Sequence, residues 1–70
     1  MHTQELLKQV RELRNLMAEA KAIVDGMQEK LPELEEPAMS AQCSVIRHFL
    51  AQTQRQEQLL KDMITAKQAG

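Results

Sequence analysis

The chain has no tryptophan and no tyrosine, and Phe49 is its single aromatic residue. It has one cysteine, Cys43, which excludes an internal disulfide framework. Two glycines and two prolines are too few for an all-β fold, which would need a turn every few residues. No apolar run exceeds three residues, as in Ala22-Ile23-Val24, so neither a membrane span nor a secretory signal can be written and a cytoplasmic location is expected. Charge of one sign is also lacking: nine basic against ten acidic residues leave −1. Phosphate binding would normally show a basic excess, and no aromatic platform exists for stacking bases.

What is present is a helical pattern. Hydrophobic residues make up 43% of the 70 and charged residues 27%, enough of both for a folded chain. A core in so short a chain rarely supplies more than about 3–5 kcal/mol. Disulfides, a metal or oligomerisation usually make up the rest. The soft metal ligands are His2, Cys43 and His48, and the spacing of five between the last two suits neither i,i+3 nor i,i+4. No metal and no cofactor is expected. Oligomerisation or a permanent partner remains.

Leu6, Val10, Leu13, Met17, Ala20, Val24, Met27, Leu31 and Leu34 follow one another at alternating steps of four and three. This is a heptad seam, with a at 10, 17, 24 and 31, and d at 6, 13, 20, 27 and 34. Glu5, Glu12 and Glu19 occupy c, on the outside. Leu16 and Ile23 occupy g, and Leu7 occupies e, where a simple zipper would carry charge. The apolar face is therefore wide enough to be buried between two or more neighbours, as in a four-helix bundle. The pattern predicts a helix over about 3–30, with Thr3 as its N-cap and Gly26 inside it.

Pro32 and Pro37 bracket a turn over 31–37 that holds three glutamates. Pro37 suits the first position of a helix, and Ser40 is a second candidate cap. A second helix is predicted over about 38–67. So short a turn forces the two helices antiparallel, which makes an all-α hairpin. The second helix carries two wide apolar clusters, Val45, Ile46, Phe49 and Leu50, then Leu59, Leu60, Met63 and Ile64. Between them lies a polar belt, Gln52 to Gln58, expected opposite Leu13 to Asn15. Phe49 is expected near Ala20, a large side chain facing a small one. On this reading the hairpin core is Leu6, Val10, Leu13, Met17, Ala20, Val24 and Met27 of the first helix with Ile46, Phe49, Leu60 and Met63 from the second. Leu7, Leu16, Ile23, Val45, Leu50, Leu59 and Ile64 widen the faces toward a dimer or another partner. Thr53, Arg55 and Gln56 of the belt join that interface, either as a buried polar layer or as partner contacts.

Chemistry is thinly represented. Cys43 and His48 are about 140° apart round a helix, so they do not form a nucleophile–base pair. The paired carboxylates lie in an exposed turn, and no glycine-rich phosphate loop is present. No catalysis is expected. Neither polar face is rich in Lys and Arg, so membrane-surface binding is not expected. Met17, Met27, Met39 and Met63 read as core or as an adaptable binding surface.

In size and architecture the chain resembles the ROP-type RNA-binding hairpins, which dimerise into four-helix bundles. It is similar in the same way to the co-chaperone hairpins of type III secretion. Both likenesses are of architecture, with no shared motif, so no residue roles carry over. Small hairpins of this kind, many encoded on bacterial phages and plasmids, act as inhibitors, antiactivators, adaptors or co-chaperones. The function expected is a protein-interaction module that pairs with itself and with a protein partner. An RNA-binding bundle is the alternative.

Overall fold

A computed structural model describes residues 2–69. Helix α1 spans Thr3–Lys30, a short 3-10 turn spans Leu31–Leu34, and helix α2 spans Pro37–Ala69. The two long helices run antiparallel as a hairpin, 54 Å long and 15 by 12 Å across.

Local chemistry accounts for each boundary. Glu5 lies in the first turn of α1 and Lys30 in the last, each opposing the nearer end of the helix dipole. The residue before the helix is His2, whose carbonyl accepts from the Leu6 N–H at 2.9 Å and whose side chain makes no capping bond. Thr3 therefore is not the cap. It is the first helical residue, and it turns half-buried toward α2. Gly26 sits within α1 with open space where a Cβ would be. Leu31 keeps helical angles and its N–H reaches the Met27 carbonyl, so α1 tightens into the 3-10 turn instead of stopping at Pro32. Glu35 then takes a left-handed conformation, φ 55°, with its N–H on the Pro32 carbonyl at 3.1 Å. One such residue reverses the chain. Pro37 opens α2, where a missing N–H costs nothing. Ser40 lies inside α2 and caps nothing.

The contact between the helices is narrow. Val10, Met17 and Val24 are buried on α1, and Cys43 and Glu57 on α2. Half-buried Leu7, Arg14 and Gln28 fill the seam on α1, as Ser40, Leu50, Gln54, Lys61 and Ile64 do on α2. The α1 strip facing α2 is thus made of a and e positions. This departs from the a/d seam expected from the sequence. Leu6, Leu13, Met27, Ile46, Phe49, Leu60 and Met63, expected in the hairpin core, are exposed. Leu7, Leu50 and Ile64, expected on the outer interface, line the seam. The physical reason is width. The apolar arc of α1 runs through e, a, d and g, and one neighbour covers only part of it.

Among the described residues no helix is long and apolar enough to cross a membrane.

Candidate functional site

Pairs of contacts set the levels of the two helices. Arg14 meets Glu57, Asp25 meets Arg47, and Gln28 meets Ser44. Moving along α1 therefore moves back along α2 by nearly the same number of residues. The polar belt lies beside Arg14 and Ala20 lies level with Leu50 and Ala51. Phe49 reaches nearly the level of Ala20, but its ring is 60% exposed and not packed within the hairpin.

Rotation about each axis separates two sides. On α1 the d residues stand roughly 80° round from the seam centre. On α2 Ile46, Thr53 and Leu60 stand about as far round from their seam in the same sense along the chain. Because the chains run oppositely, the same sense brings both sets to one side of the hairpin. That side carries Leu6, Leu13, Ala20, Met27 and Leu34 from the first half. It carries Met39, Ile46, Phe49, Leu60 and Met63 from the second. Leu16 and Ile23 extend it at the α1 edge, and Thr53 and Gln56 interrupt it. Thr53 Oγ1 donates to the Phe49 carbonyl at 2.9 Å, so its hydroxyl is satisfied within its own helix and its methyl is free to pack. Val45 and Leu59 are exposed on the back of α2, away from α1, and Arg55 is exposed on the opposite flank.

The other side is polar. Arg47 Nε lies 3.3 Å from Asp25 Oδ1, and Gln28 Nε2 donates to Ser44 Oγ at 3.2 Å. Arg14 holds Glu57 with two parallel bonds, Nε to Oε1 at 2.8 Å and Nη2 to Oε2 at 3.0 Å. Its Nη2 also reaches Gln58 Oε1. Glu57 is 5% exposed, the one charged group buried between the helices among the described residues. The hydrogen bonds from Arg14 hold its carboxyl below the ordinary glutamate range, outweighing the burial that would raise it. The same bonds raise the Arg14 guanidinium. Beside this pair a cleft of roughly 210 Å³ opens between Leu7, Val10, Arg11, Arg14, Lys61 and Thr65.

Arg14 and Glu57 are the pair that sequence reasoning missed. The available signal was the seven-residue spacing Cys43, Leu50, Glu57, Ile64, which puts Glu57 in a row with apolar residues. Cys43 and His48 do not meet. The Cys43 thiol is buried and donates to the Val24 carbonyl at 3.8 Å, whereas His48 pairs with Gln52 at 3.2 Å. Comparison with protein-family models, curated proteins and solved structures finds no match to this chain.

Proposed function

We propose that this chain is a non-catalytic protein-interaction module that pairs with itself through the apolar side of the hairpin, completing a four-helix bundle. In that form it regulates a protein partner by helix–helix docking, as an inhibitor, antiactivator, adaptor or co-chaperone. A cytoplasmic setting fits a lone cysteine kept as a thiol.

The observation that carries the reading is the surface the hairpin leaves open. An ordinary folded monomer of 8.0 kDa exposes about 4,500 Å². This hairpin exposes 5741 Å², and thirteen large apolar side chains among the described residues are exposed. Most of them stand on one side. Its radius of gyration, 16.2 Å, compares with about 11 Å for a compact chain of this length. The hairpin is 54 Å long and 15 Å across, so one whole face has room for a standard interface of about 800 Å² per partner.

Light scattering at micromolar concentration tests the self-association, with twice the 8.0 kDa chain mass expected. A monomer that unfolds cooperatively at a midpoint independent of concentration would refute it. The competing reading, an RNA-binding bundle, draws on Arg11, Arg14 and Lys61 around the cleft. Glu57 already neutralises Arg14, which favours the protein-docking reading. A salt titration against total RNA separates the two, since phosphate contacts weaken steeply with salt and apolar docking does not.

A further inference from the structure

Two copies can close their apolar sides in two ways, with the turns at the same end or at opposite ends. We infer that the hairpins pair with their turns at opposite ends, the acidic turn of one chain lying beside the basic open end of the other. The inference rests on the self-association proposed above and adds its geometry.

Charge is distributed unevenly along the rod. At the turn, Glu29, Glu33, Glu35 and Glu36 are opposed by Lys30 alone, and all four carboxylates are exposed. At the open end, the segments 2–14 and 57–69, which lie side by side, carry five Lys and Arg against four Asp and Glu. Glu57 and Arg14 are paired with each other, which leaves four against three. Turns at the same end would crowd two acidic clusters within about a Debye length, 8–10 Å. Turns at opposite ends separate the two acidic clusters by most of the 54 Å rod and set each beside an end of small net positive charge.

The apolar side has a matching symmetry. The stripe of the first half reads Leu6, Leu13, Ala20 and Met27 on α1 and Leu34 in the 3-10 turn, seven residues apart, with the smallest in the middle. A two-fold axis crossing at Ala20 sets Leu6 against Leu34 of the partner subunit, and Leu13 against Met27 of the partner subunit. Ala20 meets its own copy, where a small side chain lets two helices approach within 8–10 Å. Ala51 lies level with Ala20, so the same axis passes beside it on α2. It sets Met39 over Met63 of the partner subunit and Phe49 over Thr53 of the partner subunit. Thr53 presents a methyl there, because its hydroxyl is held by the Phe49 carbonyl of its own chain.

The experiment is a distance measurement on the full chain. Cys43→Ala removes the buried thiol, and Glu33→Cys carries a nitroxide at the exposed turn. Reflection through Ala20 carries position 33 to the level of position 7. The two labels of a dimer should then lie about 40 Å apart, at 1.5 Å per residue of helix. A distance under about 20 Å, as expected when four helices packed roughly 10 Å apart share one turn end, overturns the orientation and leaves the dimer standing. A monomer by light scattering, with no dipolar signal, overturns the self-association itself. Mixing Glu33→Cys with Glu5→Cys chains gives an independent reading. The opposed arrangement brings those labels within about 20 Å, and a long distance refutes it. A charge test predicts opposite signs for the two arrangements. Replacing Glu33, Glu35 and Glu36 together by Gln should raise the dimer Kd roughly threefold to tenfold at low salt. A fall in Kd, or no change, overturns the charge argument and with it the proposal.

Discussion

The hairpin carries two contact surfaces of similar length and opposite character. The seam between α1 and α2 is narrow, and its buried residues are few: two valines, a methionine, a cysteine and a glutamate. The outer apolar side is wide and holds the bulky residues, Phe49, Met63 and most of the leucines, largely exposed to water. A chain folding alone would gain more by burying the larger set, since stabilisation scales with apolar area at about 25 cal/mol/Å². Two helices cannot cover that whole arc. The arrangement becomes economical once a second surface covers the outer side, and the seam then has only to hold the helices in register. The Arg14–Glu57 pair suits that task. Two parallel bonds fix the level of one helix against the other more tightly than interchangeable apolar contacts would.

The comparison can be broken most directly on the outer side. Phe49→Ala should cost about 3–5 kcal/mol where the ring is covered in an assembled bundle. In an isolated hairpin, with the ring 60% exposed, the change should stay within about 0.5 kcal/mol. Urea unfolding at two protein concentrations distinguishes these outcomes, and we expect the larger value with a midpoint that rises with concentration. In the seam, Met17→Ala should cost about 2–5 kcal/mol whether or not the hairpin is paired, because Met17 is buried within one chain. A smaller loss at Met17 than at Phe49 would support the view that the outer side carries most of the stability.

The ion pair sharpens the contrast by its pH dependence. The Glu57 carboxyl titrates lower in the folded chain than in the unfolded one. Its contribution is therefore present above the unfolded value of about 4.3 and is lost as pH falls through the folded one. Glu57→Gln should be less stable than the parent at pH 7, and the gap should close in urea titrations run below about pH 4. The smallest effect is expected on the back of α1. Gly26 has no positive φ, and open space surrounds the position of its missing Cβ. Gly26→Ala should raise stability by about 1 kcal/mol through helix propensity, read as a small rise in Tm.

Much of the architecture was legible in the residues. The four-three repeat of α1, the absence of Gly and Pro from 38 to 69, and Pro32 and Pro37 around three glutamates all act locally. They determine where helices form and where the chain turns. The level of the end of the polar belt, Glu57 and Gln58 beside Arg14, also follows, because a short turn leaves little freedom to slide, but the belt begins at Gln52 near the level of Ala20 and so reaches beyond Asn15. The Thr3 cap did not hold, since helix ends shift by a residue at little cost.

What the sequence by itself determined is thus the two helices, their turn and the breadth of the apolar arc on each. Which strip of that arc meets the other helix was decided only in the tertiary structure. Rotation about a helix axis leaves every local preference unchanged and alters only which residues meet. Here the chosen rotation lets Arg14 reach Glu57 and puts Val10, Met17 and Val24 on the strip that faces Cys43, Leu50, Glu57 and Ile64. Phe49 and the d-position leucines, the strongest apolar signals in the sequence, are left facing outward.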